Sequence, residues 1–205
     1  MYSKEDNLLF IHIPKTGGQT IVKHFLERDG LNWSMRKRLY CENINFLDEE
    51  IWTAHLTYKM YMHYDIITHK EMKSLTKFSI VRNPYDRFIS FYNMIRNKHK
   101  EYSMTEHVEN CKRWFEEKQE HFKPYLCTKP QSQFIDGSEW IKIFKYENYG
   151  DVEEFLKPYG IDKIKVRNTA NPELKSDYTK NLDLCTDFVN TYLSVDFKEL
   201  GYKKR

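Results

Sequence analysis

The sequence predicts an α/β fold in which a central parallel sheet is covered on both faces by helices. Three stretches carry that expectation. "NLLFIHI" (7–13), "KFSIV" (77–81) and "WIKIFKY" (140–146) are short apolar runs that read as strands, and each is followed by a helical pattern. Strands alternating with helices are accommodated by parallel pairing with helical crossovers. Ligands of such sheets gather beyond the carboxyl ends of the strands.

The elements follow in order. After the first strand, Ile21, Val22, Phe25 and Leu26 form one helical stripe, and Gly30 is a natural stop. "IWTAHL" (51–56) reads as a shorter second strand. "KFSIV" runs into "RNPYDRFISFYNMIRNKHK", where Asn83 suits an N-cap, Pro84 the first helical residue and Asp86 the third. Phe88, Tyr92 and Ile95 then recur at i, i+4, i+7. The fourth strand, 140–146, leads to a helix over 151–156 with Pro158 near its end. Leu184, Phe188 and Tyr192 mark a C-terminal helix. With no repeat, low-complexity tract or Gly/Ser linker, residues 1–205 read as a single domain.

At 205 residues the chain is long enough to bury a sizeable core, and 40% hydrophobic with 31% charged residues is globular composition. A net charge of +3 does not by itself announce a nucleic-acid partner. The basic runs "MRKR" and "RNKHK" read as solvated faces. Cys41, Cys111, Cys127 and Cys185 lie far apart with no CxxC pair, which fits reduced thiols in a cytosol-like compartment; disulfides in a secretory lumen are the other reading. No signal-peptide core or membrane-length apolar stretch is present. The expectation is a soluble chain, with a Golgi-lumen location requiring an anchor outside it.

In "PKTGGQT", Gly17 and Gly18 allow successive backbone N–H groups to converge at a helix start, a nest that binds phosphate. Lys15 adds a cation, and Thr16 and Thr20 add hydroxyls. A plain Gly-Gly turn is the bland alternative. The lysine precedes the glycine pair, so this is not the GxxxxGK[ST] loop, and a metal requirement does not follow. In "VRNPYDRFISFY", Arg82 leaves the third strand at a capped helix start, and Ser90 lies two turns on, three positions after Arg87. An arginine with a serine hydroxyl can bind a second phosphate. Taken singly, Arg87 reads as a surface ion-pair residue and Ser90 as a small packing residue.

"FIHIPKTGGQT" followed by "IVRNPYDRFISFY" resembles the sulfotransferases that use 3′-phosphoadenosine 5′-phosphosulfate (PAPS), most nearly the carbohydrate branch that includes heparan sulfate 2-O-sulfotransferases. "KPQSQFI", "IFKYENYGDVEEFL" and "VDFKELGY" are similar to later segments of that family. The resemblance implies a P-loop-NTPase-like three-layer fold. It also implies that Lys15, Thr16, Gly17, Gly18, Gln19 and Thr20 surround the 5′ end of the donor, with Arg82 and Ser90 on its 3′-phosphate. Gln19 stands where the family usually has a serine or threonine. A segment near 167–175 is where the family closes over the nucleotide.

Transfer to a hydroxyl calls for a base near neutrality, which suits histidine. His55 ends "IWTAHL", and "AHLTY" resembles the segment carrying the catalytic histidine of the 2-O branch. His12 reads as a core residue; His63, His69, His99, His107 and His121 read as surface positions or polar stretches. None has zinc-ligand spacing, so no metal is expected. The sequence reading is therefore transfer from PAPS to an acceptor hydroxyl on a carbohydrate, releasing adenosine 3′,5′-bisphosphate (PAP), with His55 as base and Lys15 on the leaving oxygen. Two alternatives stay open: an ATP-dependent small-molecule kinase with an atypical phosphate loop, and a non-catalytic nucleotide- or glycan-binding module. Residues 32–48 and 98–124 are expected to shape the acceptor pocket.

Overall fold

The computed structural model describes residues 1–40, 53–118, 123–165 and 179–205. Strands β1 (Tyr2–Ser3), β2 (Leu8–Ile11), β3 (Thr76–Val81) and β4 (Ile141–Lys145) form one sheet in that order. β1 pairs with β2 antiparallel, while β2–β3 and β3–β4 are parallel. The mixed α/β class with a mainly parallel sheet flanked by helices is as the sequence predicts. β2 is buried along its whole length, which is why it reads as a continuous apolar run with no alternation.

One expected strand changes, and one strand is unforeseen. The described part of "IWTAHL" is no strand: Thr53–His55 is a 3-10 turn, and Ile51 and Trp52 lie outside the described residues. A short apolar run is equally compatible with a packed turn. The edge strand β1, only two residues long, is too short to show a period.

Contacts divide the chain into two compact units. The first runs from Met1 to Val81, resumes at Gln133, and contains the sheet. Helix α1 (Gly18–Arg28) and the later helix Tyr149–Leu156 bury Ile21, Val22, Phe25, Leu26, Val152 and Leu156 with Leu8, Phe10, Phe78 and Ile80. Phe10 and Phe78 stack across the β2–β3 pair at 4.6 Å. Arg28 closes α1 with two 2.9 Å bonds to Asp6 and one to the Tyr159 carbonyl. Gly30, at φ 69°, turns the chain away as the sequence suggests.

Helices α2 (Tyr58–His63) and α3 (His69–Ser74) lead back to β3. Thr68 and Glu71 cap α3 reciprocally.

The second unit starts at Arg82 and includes the C-terminal helices. Here α4 (Pro84–Arg96), α5 (Met104–Glu117) and the helix Leu182–Tyr192 enclose Phe88, Phe91, Tyr92, Val108, Cys111, Phe188 and Val189. Asn83 caps α4 by accepting from the Tyr85 N–H. At its centre is His107, fully buried rather than on the surface, beside Tyr102 (3.2 Å) and the Cys111 thiol (3.7 Å). Burial pushes His107 down to about 3 and the Cys111 thiol well up. Cys111, Cys127 and Cys185 are buried thiols; Cys41 lies outside the described residues.

Candidate functional site

β2 and β3 are parallel neighbours, paired from Leu8↔Thr76 to Ile11↔Ser79, so both chains leave the same edge of the sheet. Ile11 leads into the glycine-rich loop, and Val81 into Arg82. This is the edge where open α/β sheets place ligands.

In the loop, Lys15 (φ 69°) and Gly17 (φ 83°) adopt left-handed backbone angles around Thr16. Such alternation turns N–H groups toward one concavity. α1 begins at Gly18 with no side-chain cap and no acidic residue in its first turn. The partial positive charge of that helix end is therefore not neutralised locally, in contrast to α4 with Asn83 and Asp86.

The glycines are needed for space as well as conformation. A Cβ on Gly17 would stand 2.8 Å from the Tyr146 ring, and one on Gly18 would stand 2.2 Å from Cδ2 of His12. Tyr149 donates its hydroxyl hydrogen to the Gly17 carbonyl at 3.3 Å. Burial pushes the Tyr149 hydroxyl pKa up, so it stays protonated and able to donate.

Thr16 departs from expectation in detail. It is fully buried, and its hydroxyl donates to the Ile13 carbonyl at 2.9 Å, so that hydrogen serves the turn rather than a ligand. Its backbone remains part of the nest. Lys15 and Thr20 are half-buried and Gln19 is exposed.

His55 is buried and lies at the base of this loop. Its Nδ1 is 2.8 Å from the His12 carbonyl. A carbonyl can only accept, so Nδ1 carries the hydrogen and the neutral ring has its lone pair at Nε2. The His12 ring packs edge-on to His55 at 4.4 Å and stacks on Phe10. Burial first, then the neighbouring His55, the N-terminus and Lys15, hold His12 well below the usual histidine range. Its Nδ1 is buried with no hydrogen-bond partner. His12 is thus more than core filling: it supports the loop with its ring and orients His55 with its carbonyl.

In the second unit, Arg82 is half-buried just past β3, and Ser90 is half-buried on α4. Arg87 is not a surface ion-pair residue. It is 1% exposed and donates to the carbonyls of Lys129 (3.0 Å) and Leu126 (3.3 Å). The loop residues, His12 and His55 belong to one unit, and Arg82 and Ser90 to the other. Residues 167–175 and 41–48 lie outside the described residues. Among the described residues, no His/Cys/Asp/Glu group is arranged to hold a metal ion, and no helix is long and apolar enough to cross a membrane.

Sequence reading missed His12, Tyr146 and Tyr149 as loop supports. Their signal is position: His12 lies two residues before Pro14, and both tyrosines follow β4 at its carboxyl end.

The model of the family described as "Sulfotransferase family" matches residues 1–181. The chain belongs to the sulfotransferase family. A crystal structure of a sulfotransferase from Alicyclobacillus acidocaldarius is similar at 13% identity and a TM-score of 0.45, covering 90% of this chain and 94% of that one. No curated protein matches the chain. For this sulfotransferase, family membership assigns sulfuryl transfer to a hydroxyl-bearing acceptor as the reaction class, and PAPS is the donor that the family generally uses.

Proposed function

We propose that this sulfotransferase moves the sulfuryl group of PAPS to a carbohydrate hydroxyl, with His55 as the general base. The observation that carries the base assignment is the 2.8 Å bond from His55 Nδ1 to the His12 carbonyl, which leaves Nε2 as the basic atom. The loop N–H groups and the uncapped start of α1 suit the 5′-phosphosulfate, and a Cβ at either glycine would push the loop off its supporting Tyr146 or His12 ring. Arg82 and Ser90 are assigned to the 3′-phosphate, as the resemblance implies. The carbohydrate acceptor rests on the branch resemblance alone.

The chemistry is a single in-line displacement. The acceptor oxygen forms a bond to sulfur as the bond from sulfur to the 5′-phosphate oxygen breaks. Nε2 of His55 takes the acceptor proton, and PAP departs with its new charge met by Lys15 and the loop amides. No covalent enzyme intermediate is needed.

Calorimetric titration with PAP, ADP and ATP, followed by labelled-donor transfer to a panel of sugars, tests this. Tight PAP binding without added metal and label on a sugar are expected. Preference for ATP with magnesium would instead make it a kinase, and PAP binding without transfer to any acceptor a binding module. Lys15→Ala and His55→Ala should fold normally and lose transfer, each costing on the order of 3 kcal/mol in transition-state stabilisation. Retained turnover in both rejects the assigned roles.

A further inference from the structure

The parallel β3–β4 ladder ends at the pair Val81↔Lys145. At the next residue, Arg82, a side chain takes over from the ladder. Gln131 Oε1 accepts from the Arg82 N–H at 2.8 Å, and Gln131 Nε2 donates to the Arg82 carbonyl at 2.8 Å. Both backbone polar groups of one residue are thus held by one planar amide, which fixes the direction in which Arg82 projects.

That amide is itself held. Asp196 is fully buried, and its carboxylate accepts from the Gln131 N–H (2.9 Å), Gln131 Nε2 (3.2 Å), the Ser132 N–H (3.0 Å) and the Ser132 hydroxyl (3.1 Å). Arg87 grips the preceding turn through the Leu126 and Lys129 carbonyls and is attracted by the Asp196 charge. Arg82 is only half-buried, so water could satisfy its peptide groups. A buried amide, itself held by a buried carboxylate and costly to desolvate, does so instead. What the clamp supplies beyond satisfied hydrogen bonds is orientation.

We propose that Gln131, anchored by Asp196, is a positioning residue that aims Arg82 at the 3′-phosphate of the donor. This rests on the assignment of Arg82 in the proposed function. The clamp acts only through Arg82, so its loss should weaken nucleotides that carry a 3′-phosphate and spare those that lack one.

The test compares PAP with AMP by calorimetry, using the full chain as wild type, Gln131→Met, Asp196→Asn, Arg82→Ala and the Gln131→Met/Arg82→Ala double variant. Wild type should prefer PAP. Gln131→Met should cut that preference about tenfold, the equivalent of one to two ordinary hydrogen bonds, with AMP affinity retained. In the Arg82→Ala background it should change nothing further, an outcome that a general loss of stability would not give. If Gln131→Met fails to fold, Asp196→Asn carries the same comparison. A wild type that prefers PAP, with the preference unchanged in the clamp variants, overturns this inference and leaves the donor assignment standing. A wild type with no preference for PAP overturns the Arg82 assignment and the clamp with it.

Discussion

Gly18 and Gly150 both sit in first turns of helices, yet they meet opposite surroundings. A methyl group on Gly18 would press into the His12 ring at 2.2 Å, and that ring is already stacked on Phe10 and set against His55. Nothing lies within 4 Å of the corresponding point on Gly150. Gly18→Ala should lower stability by about 1–3 kcal/mol and weaken nucleotide binding, because the ring has to move. Gly150→Ala should be neutral or stabilising by about 0.5–1 kcal/mol, since alanine restricts the unfolded chain at no steric cost. Thermal denaturation of the two variants, with PAP titration, distinguishes them; equal effects would contradict the space argument. The two glycines look alike in sequence, because what separates them is the neighbour that folding brings.

At the scale of elements, α4 carries two kinds of residue on one amphipathic frame. Phe88 and Tyr92 face the core as their spacing predicts, but Arg87 is also buried, bonding carbonyls of the 126–129 turn. Arg87→Met would leave those buried carbonyls without their donor and remove the nearby charge that attracts Asp196. A loss of about 1–3 kcal/mol is expected in urea denaturation, the usual cost of leaving a buried acceptor unsatisfied. A change under about 0.5 kcal/mol would mean that these hydrogen bonds contribute little. Sequence pattern assigns charged residues outward by default, and it erred at Arg87 and at His107 for the same reason. Each is satisfied by partners distant in sequence or by a ring of aromatics. The described part of 51–56 is a related case: Thr53–His55 is buried in part as its apolar setting suggests, but as a 3-10 turn and not a strand.

For the whole molecule, the pH response is set by buried neutral histidines, His12 in one unit and His107 in the other. Both have folded pKa values below that of the unfolded chain, His107 at about 3 and His12 well under the usual range, each chiefly through burial. Below about pH 6.5 the unfolded chain takes up protons that the fold refuses, so stability is full above that pH and falls as pH falls. Each histidine should contribute up to about 1.4 kcal/mol of loss per pH unit in this window. Melting temperatures between pH 7.5 and 5 should decline, and His107→Leu should decline less steeply. Identical slopes for wild type and variant would remove His107 from the account.

Local patterns were sufficient for β2, β3, β4, α1 and α4 and for the cap of α4 by Asn83, because apolar period, Gly-Gly and Asn-Pro act over a few residues. Tertiary structure alone decided that the Thr16 hydroxyl turns inward, that the His12 carbonyl sets the tautomer of His55, and that Gln131 and Asp196 hold Arg82. Those facts depend on hydrogen bonds between residues 43 to 65 positions apart, apart from the three-residue Thr16 bond. A chain carries no local sign of such partners until its backbone brings them within 3 Å.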